Sequence, residues 1–360
     1  MMTIPALKLV VMKGDGIGPE ITEATLAVLD AAAETGGLAF DYEEVLIGFD
    51  ALHRDGSTIP EAAIEAARAA DGVILGPVSH NEYPPVAEGG LNPSGVLRKR
   101  LDLYANIRPA RNIPGLPTRC GDGIDLVVVR ENTEGFYSDR NMFAGNGEFM
   151  PTPDVALAVR KITRDGVMRL AETAFRLAMT RRRKLCSVHK ANVFRLSDGL
   201  WLECTREVAS RYPDVEYEER LIDAMAALLV RDPGQFDVIA TSNMFGDILS
   251  DQASEISGSL GLAASLNAGD EHAVAQAQHG SAPDIAGRGI ANPASLIGSA
   301  AMLLDRLGER RELPALRETA TRIADALEAT ISDPATRTRD LGGPLGTGDF
   351  TAAVAKAVTQ

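Results

Sequence analysis

Apolar positions along the chain follow two different periods, and their alternation predicts an α/β fold. Residues 7–12 form a short, mostly apolar run that is typical of a buried strand. Between Pro19 and Ala33, apolar residues recur every three or four positions, which is the spacing of an amphipathic helix. Strands and helices alternate in this way in parallel or mixed sheets flanked by helices. Further short runs predict strands at 72–75, 125–129, 184–188 and 237–241.

Two segments break this alternation. Residues 109–123 contain three prolines and three glycines and predict a crossover between domains. Residues 138–153 are rich in Asn, Gly and Pro and predict a projecting arm. Beyond them, the Ala- and Leu-rich residues 292–329 have helical spacing and predict a packed helical layer.

Composition narrows the classes of function. The 360 residues carry 36 Lys and Arg against 50 Asp and Glu, a formal net charge of −14. This balance disfavours nucleic acid and anionic lipid as partners, and no run approaches the ~18 apolar residues of a membrane span. The three cysteines form no C-x-x-C pair, and the N-terminus lacks a signal-peptide pattern. We therefore expect a cytoplasmic globular protein of two domains or one large α/β unit.

Arginines concentrate in one part of this acidic chain and predict an anion site. Arg98 falls in a helical stretch, Arg108 follows in the next segment, and Arg130 ends an apolar strand. Planar guanidinium groups match carboxylates, so three of them could hold a small organic acid. The alternative is a solvated helix face with one structural ion pair.

A second cluster carries the opposite charge. Asp247 and Asp251 would share one face of a helix, where their like charges repel unless a cation offsets them. Asp223, before another apolar run, is a third candidate ligand. Carboxylate oxygens favour Mg²⁺ or Mn²⁺ over zinc. The alternative is that the dipole of the helix satisfies these acids without a metal.

Two residues between these clusters could transfer protons. Tyr137 follows closely on the polar segment 130–135, and Lys190 lies just beyond a predicted strand. A positioned lysine or tyrosine can act as a general base or acid. Taken singly, each is more often an ordinary surface or packing residue.

Two glycine-bearing segments are candidates for cofactor binding. Residues 14–19 follow a strand and open a helix, but Pro19 breaks the G-x-G-x-x-G spacing of the dinucleotide fingerprint. The small-residue loop 279–293 could instead wrap an adenosine, with Asp284 accepting hydrogen bonds from a ribose 2′-hydroxyl. The alternatives are a tight strand-to-helix turn for the first segment and a turn-rich connector for the second.

In combination, these segments resemble the β-decarboxylating dehydrogenases, the isocitrate and 3-isopropylmalate dehydrogenase family. The resemblance runs nearly end to end and implies the two-domain α/β fold of that family, with a cofactor site other than the usual Rossmann one. It is carried by GDGIGPE (14–20), LRKRLDLYANIRP (97–109), RENTEGFYSD (130–139), VHKANV (188–193), DAMA (223–226), FGDILSD (245–251) and HGSAPDIAGRGIANP (279–293).

The resemblance also implies the domains and the cofactor site. Residues 1–100 and 255–360 would form a large NAD-binding domain. Residues 101–254 would form a small domain with the interface of a homodimer, whose intersubunit arm is segment 138–153. The NAD-binding residues would be His279, Gly280, Ser281, Ala282, Asp284, Ile285 and Asn292.

By the same resemblance, the active site would be shared between the two subunits of the dimer. Arg98, Arg108 and Arg130 would hold the carboxylates of a (2R)-malate. Mg²⁺ or Mn²⁺ would be bound by Asp247 and Asp251 of one subunit and by Asp223 of the other. Lys190, also from the other chain, would take the C2 hydroxyl proton as hydride leaves for NAD⁺, and Tyr137 would protonate C3 after CO₂ departs.

Substrate identity stays open at this point. The first candidate is 3-isopropylmalate or a close 3-alkylmalate, with Ser94 facing the C3 substituent. Isopropylmalate enzymes, however, typically carry two leucines where this chain has Ser94 and Gly95. Isocitrate, homoisocitrate, D-malate and tartrate are therefore alternatives, and a non-catalytic regulatory or binding subunit is an alternative of another class.

Overall fold

The structure of the protein is a computed structural model that describes residues 6–118, 120–137, 142 and 145–360. Each strand predicted from the apolar runs is present, and the predicted first helix is present with slightly wider bounds. The first helices and strands are β1 (Leu7–Met12), α1 (Gly18–Gly36), β2 (Phe40–Glu44), α2 (Gly48–Asp55), α3 (Glu61–Ala69), β3 (Gly72–Leu75) and α4 (Pro93–Arg100).

The middle of the chain continues this alternation of strands and helices. Its elements are β4 (Ala105–Arg111), β5 (Asp125–Glu131), β6 (Glu148–Thr152), β7 (Val155–Ala158), α5 (Arg164–Met179), β8 (Lys184–His189), α6 (Ser197–Ala209), β9 (Glu216–Leu221), α7 (Ile222–Arg231), β10 (Val238–Thr241) and α8 (Asn243–Ser257). The C-terminal part adds β11 (Leu266–Ala268), β12 (Ala273–Gln276), α9 (Ala294–Arg310), α10 (Pro314–Ser332) and α11 (Thr347–Val358).

The chain divides into two compact units. The first unit comprises Met1–Leu101, Ile113–Pro117 and Ser259–Gln360, and the second unit comprises Asp102–Asn112 and Thr118–Gly258. The predicted crossover at 109–123 is wrong at its start, because residues 109–111 belong to strand β4. They stay in the strand because they continue its antiparallel register with β5, in which Pro109 faces Val127.

The first unit is built on strands in the order β2-β1-β3-β12-β11, parallel except for the β11–β12 pair. Residues Leu9 to Met12 of β1 are almost inaccessible to solvent, as expected for a parallel strand covered on both faces. The C-terminal helices α9 and α10 pack against each other, and α11 packs on α1. The helical layer predicted at 292–329 is therefore confirmed.

The second unit has strands in the order β4-β5-β10-β8-β9, with β4 antiparallel to β5 and the other pairs parallel. Its core lies on both faces of the sheet. Val127 and Val129 pack in one cluster with Phe175 of α5 and Trp201 of α6, and Leu126 and Val128 pack in the other. The second cluster also contains residues of α7 and α8.

Parallel strands bring chemically reactive residues to one edge of this second sheet. Thr241, the last residue of β10, pairs with Arg130 on one side and Val188 on the other. The carboxyl ends of β5, β10 and β8 therefore lie side by side, where α/β proteins place their sites. Lys190 follows β8, and helix α8 begins just after β10.

Strands β6 and β7 form a separate antiparallel two-stranded sheet in which every residue is exposed. Of the arm predicted at 138–153, residues 138–141, 143 and 144 lie outside the described residues. The described hairpin continues to Ala158, beyond the predicted end, because Val155 to Ala158 pair back onto Glu148 to Thr152. None of the helices within the described ranges has both the length and the apolar content needed to cross a membrane.

Candidate active site

Arg130, at the end of β5, is the central group of a polar cluster in the second unit. Its side chain is only 2% exposed. Nε and Nη2 donate to Asn243 Oδ1 at 3.0 and 2.7 Å, and Nη1 forms an ion pair with Asp247 Oδ1. Gly246 must be small, because a Cβ atom at this position would lie 2.7 Å from the Arg130 Cβ. The FGD sequence therefore allows α8 to approach the arginine closely.

Arg108 on β4 points to the same helix. Nη1 donates to Ser250 Oγ at 2.7 Å and to Asp247 Oδ1 at 3.2 Å, and it lies 3.5 Å from Asp251 Oδ1. Burial, reinforced by the neighbouring charge of Arg130, lowers the pKa of Arg108 to about 10. The group therefore stays cationic at neutral pH, and two guanidinium groups share one carboxylate.

Tyr137 completes this cluster. Its hydroxyl accepts a hydrogen bond from Arg130 Nη2 at 2.8 Å and donates one to Asp247 Oδ2 at 2.7 Å. Both carboxylate oxygens of Asp247 are thus engaged, one by the arginines and one by the phenol. The structure therefore brings together four predicted site residues: Arg108, Arg130, Tyr137 and Asp247.

The predicted metal ligands fall into two groups. Asp247 and Asp251 lie one turn apart on α8, with side chains 40% and 54% exposed. Hard carboxylate oxygens that water can reach fit Mg²⁺ or Mn²⁺. Among the described residues of one chain, however, no three His, Cys, Asp or Glu side chains converge as a metal site. The two aspartates of α8 can therefore supply only part of a coordination shell.

Asp223 and Lys190 lie in a second position of the same unit, where they pair with each other. Lys190 Nζ is 2.5 Å from Asp223 Oδ1. The ammonium group, by hydrogen bonding, holds the pKa of the Asp223 carboxyl below its ordinary value. The lysine backbone N–H donates to Asp198 Oδ2 at 2.6 Å, which fixes the turn that follows β8.

In the first unit, Arg98 and Ser94 lie on α4 and meet Gln276 of β12. The Gln276 side-chain oxygen accepts from Ser94 Oγ at 3.0 Å, from Asn267 Nδ2 at 3.2 Å and from Arg98 Nη2 at 3.5 Å. Three donors around one oxygen fix the orientation of the amide. The wall that contains Ser94 is therefore polar and held by hydrogen bonds.

The glycine-bearing segment near the N-terminus packs under the predicted cofactor loop, within the first unit. Ile17 N donates to Ser281 O at 2.8 Å, and a Cβ atom at Gly16 would come within 2.0 Å of the same oxygen. Asp15 accepts backbone N–H groups from Phe49 and Ser79, both at 2.9 Å. These contacts favour the tight-turn alternative for residues 14–19. The turn packs against the loop and bonds to its backbone at Ser281.

Within the loop 279–293, the described side chains differ in whether they are exposed or already bound by hydrogen bonds within the protein. Asp284 is exposed in a short 3₁₀ turn, Pro283–Ile285. The Asn292 side chain is already engaged, because it donates to Asp340 at 3.0 Å and accepts from Ala294 N at 3.0 Å. Asn292 therefore shapes the loop through protein contacts.

His279 carries the unsatisfied polar atom of this loop. Burial lowers the pKa of His279, so its imidazole is neutral at pH 7. Nδ1 lies 2.9 Å from the carbonyl oxygen of Gly280, which can only accept, so Nδ1 carries the hydrogen. The buried Nε2 is thus an acceptor, and none of the described residues donates to it.

Sequence reasoning missed several side chains that complete the second unit's cluster. Asn243 accepts from Arg130 and donates to the Glu134 carbonyl, Ser250 accepts from Arg108, and Asn106 accepts from Arg108 Nε. Asn243 and Ser250 lie four before and three after Asp247, on the same face of α8. This helical spacing from Asp247 could have identified both residues as members of the site.

A family model described as isocitrate/isopropylmalate dehydrogenase matches residues 8–356. The chain belongs to this family. The 3-isopropylmalate dehydrogenase of Aquifex aeolicus is 44% identical over 307 residues, 82% of this chain and 83% of that protein. The mitochondrial NAD isocitrate dehydrogenase catalytic subunit 5 of Arabidopsis thaliana is 40% identical over 343 residues, 95% and 86% of the two chains.

Solved structures of the family agree with the fold. The crystal structure of isocitrate dehydrogenase from Methylococcus capsulatus has a TM-score of 0.87 and 38% identity, and the match covers 98% of this chain and 100% of that chain. The predicted fold class and family are confirmed. As an isocitrate/isopropylmalate dehydrogenase family member, the protein is an oxidatively decarboxylating dehydrogenase that acts on small hydroxy acids.

The Lys190–Asp223 pair makes a direct prediction about titration. Replacing Lys190 with Met should raise the pKa of Asp223 toward its ordinary value, because the hydrogen-bonded cation that favours the carboxylate is lost. The measurement is an NMR pH titration of the labelled Asp223 carboxyl carbon. Lys184→Met is the control. It removes an ion pair between β8 and β9, with Glu216, and should leave the pKa of Asp223 unchanged. An Asp223 titration that is identical in Lys190→Met and the native protein would contradict the pairing.

Proposed function

We propose that the protein catalyses NAD-dependent, divalent-metal-dependent oxidative decarboxylation of a 3-substituted (2R)-malate in a homodimer whose active sites draw on both chains. The observation that carries this proposal is the cluster of Arg108, Arg130, Tyr137 and Asp247. It combines two buried cations, a phenol and a carboxylate in one hydrogen-bonded set. An organic dianion and a divalent cation could both be bound there by groups of opposite charge.

The arginines of this chain would bind and orient the substrate carboxylates. Arg108 and Arg130 are nearly inaccessible to water and are held by hydrogen bonds, so each carboxylate bound to them would be held in a fixed orientation. Arg98 would add a third guanidinium group. Asp247 and Asp251, with Asp223 of a second chain, would hold Mg²⁺ or Mn²⁺, which when bound supplies Lewis-acid stabilisation of negative charge on the substrate oxygens.

Two residues would move protons in this reaction. Lys190 would accept the proton of the C2 hydroxyl, directly or through water. NAD⁺, when bound, would supply the hydride acceptor. Tyr137 would donate its hydroxyl proton to C3 after CO₂ has left. Its contacts with Arg130 and Asp247 support this assignment, because they fix the phenol at the edge of the arginine pair. Both residues are present, which favours an enzyme over the non-catalytic alternative.

The loop 279–293 would hold the adenosine of the cofactor. It turns at Pro283–Ile285, which leaves Asp284 on the surface. The exposed Asp284 would accept hydrogen bonds from ribose hydroxyls and repel a 2′-phosphate. These features support NAD as the cofactor rather than NADP.

The homodimer is supported by apolar side chains that face solvent on the second unit. Val193, Leu196, Val230 and Ile248 are 53–89% exposed, and the hairpin of β6 and β7 also exposes large apolar residues. A second chain that covered these side chains would remove their apolar surface from water. A second chain placed there would account for an active site in which Asp223 and Lys190 complete the partner's Asp247 and Asp251.

The candidate substrates differ in their substituent at C3, and the contacts of Ser94 change the order in which we rank them. The Ser94 hydroxyl and the Arg98 guanidinium both donate to Gln276, so this wall presents polar groups and no pair of leucines. Such a wall favours a small or polar substituent, as in isocitrate, homoisocitrate, D-malate or tartrate, over the isopropyl group placed first by the resemblance. Both 3-isopropylmalate and isocitrate dehydrogenases are among the relatives.

A substrate panel tests this proposal. NADH formation at 340 nm would be followed with Mg²⁺ or Mn²⁺ and each of isocitrate, homoisocitrate, D-malate, tartrate and 3-isopropylmalate. We expect turnover with NAD⁺ to exceed that with NADP⁺, and a polar or unsubstituted malate to have the highest kcat/KM. A clear preference for 3-isopropylmalate would contradict the proposed role of Ser94, and no turnover with any of the five acids would contradict the proposed substrate class.

Removing the proton-transfer groups should abolish most of the rate. Lys190→Ala and Tyr137→Phe should each lower kcat by about 10²–10⁴-fold, the usual contribution of a positioned acid or base, while the dimer stays folded. Stopped-flow and steady-state kinetics would measure kcat, and size-exclusion chromatography with light scattering would check assembly. Near-normal turnover in both variants is incompatible with the proposed chemistry.

The ribose assignment can be tested separately from catalysis. Asp284→Lys should weaken NAD⁺ binding by roughly 10-fold or more in calorimetry, because an acceptor for ribose hydroxyls is replaced by a cation. Binding of NADP⁺ relative to NAD⁺ should improve. Asp325→Lys, which adds the same charge at an exposed position of α10, is the control. Equal NAD⁺ affinity in Asp284→Lys and the control would count against the assignment.

A further inference from the structure

Arg160 is a buried cation that the proposed chemistry does not use. It follows the exposed hairpin, yet its side chain is only 6% exposed. Nη1 forms an ion pair with Asp198 Oδ1 and donates to Ser197 Oγ at 2.9 Å, and Nη2 donates to Ser242 Oγ at 3.2 Å. One guanidinium group therefore joins the start of α6 to the residue that precedes α8.

Aromatic rings enclose this guanidinium group. Its central carbon lies 5.7, 4.9 and 5.4 Å from the ring centroids of Phe136, Phe194 and Phe245. Aromatic faces attract a cation while they keep water away from it. Water cannot easily replace a lost partner here. Removal of Asp198 would therefore leave the guanidinium charge buried and unpaired with a carboxylate, which is strongly destabilising.

Asp198 connects Arg160 to the lysine of the proposed mechanism. The carboxylate is 1% exposed and lies in the first turn of α6. Its Oδ1 pairs with Arg160, and its Oδ2 accepts the backbone N–H of Lys190 at 2.6 Å. A charged acceptor with a short hydrogen bond holds that N–H more firmly than a neutral one would. The backbone at Lys190 is therefore tied to a buried ion pair.

The other end of this network is the helix that carries two of the predicted metal ligands. Ser242 occupies the N-cap position of α8, but its side chain caps no N–H of its own helix. The hydroxyl instead accepts from Arg160. Arg160 thus connects the turn of Lys190 with the residue that precedes the helix bearing Asp247 and Asp251.

We infer that Arg160 and Asp198 are positioning residues, which fix the backbone of Lys190 relative to the start of α8. They act through Lys190, so the inference rests on the proposed function of that lysine. Loss of the network should displace the Lys190 side chain from its working position while the arginines that bind substrate keep theirs. The expected signature is a fall in kcat with little change in KM.

Asp198→Asn is the sharpest test, because an amide has one acceptor oxygen and one donor nitrogen. In this variant the side chain must turn an N–H₂ group toward either Arg160 or the Lys190 N–H, and both of these are donors. We expect backbone hydrogen exchange across residues 189–192 to accelerate by roughly 10-fold or more. We expect kcat to fall by about 10–100-fold, the scale of a misplaced reacting group, with KM within about threefold of native.

Arg160→Lys covers the case in which Asp198→Asn fails to fold. Lysine keeps the charge beside Asp198 but lacks the fork that reaches Ser242 at the same time. It should therefore give a smaller fall in kcat of about 3–30-fold, with a dimer that still assembles. Arg164→Lys, which alters an exposed arginine paired with Glu203 and Glu207, is the matched control and should behave as the native protein.

The outcomes separate this inference from the proposed function. If the folded variants lose thermal stability but keep native kcat and native exchange at 189–192, the network is only structural and the inference is wrong. If exchange accelerates while Lys190→Ala in the same assay is as active as the native enzyme, the anchor is supported and the proposed role of Lys190 is overturned. If Lys190→Ala is inactive while Asp198→Asn or Arg160→Lys turns over normally, only the inference is overturned.

Discussion

The second unit depends on the neutralisation of buried guanidinium groups. The side chains of Arg108, Arg130 and Arg160 are each almost inaccessible to water, and a cation without water must have a carboxylate beside it. Asp247 serves the first two and Asp198 the third. These pairs hold α8 against β4 and β5 and tie α6 to the segment that follows the hairpin of β6 and β7. The parallel pairing of β5, β10 and β8 brings the carboxyl ends of three strands to one edge of the sheet. The residues that follow these strands can therefore contact one another.

Asp247 has two electrostatic roles, as the partner of two arginines and as a predicted metal ligand. In the free chain it neutralises two arginines and accepts the phenol of Tyr137, so the cluster is satisfied internally. A dianionic acid bound to the arginines would take over that neutralisation and leave the aspartate with excess negative charge. A divalent cation beside Asp247 and Asp251 would then become favourable. Substrate and metal would therefore support each other's binding through one shared carboxylate, since each compensates the charge that the other exposes.

Local patterns predicted those parts of the molecule that depend on local physics. The strands at 72–75 and 184–188 were found because a buried strand needs a short apolar run, and the shared face of Asp247 and Asp251 followed from helical spacing. Pairing between strands is less accessible from local patterns. The sequence therefore predicts a crossover over residues 109–111, although β5 holds them in a strand, and an arm that ends at 153, although the hairpin continues to Ala158. Asn243 and Ser250 could have been found from their spacing to Asp247. The role of Asp198 had no local signal, because it depends on a contact with Arg160, 38 positions away.

The first unit is assembled from both ends of the chain. Val73 of β3 pairs with Val274 of β12, and helix α11 at the C-terminus packs on α1 near the N-terminus. The second unit, by contrast, is almost continuous in sequence. During synthesis, the second unit can therefore close its core while the ribosome is still adding residues beyond 259. The first unit must leave the apolar strands β1 and β3 without the covering that residues 259–360 provide until those residues have been made, so nascent chains are most prone to aggregate through strands β1 and β3.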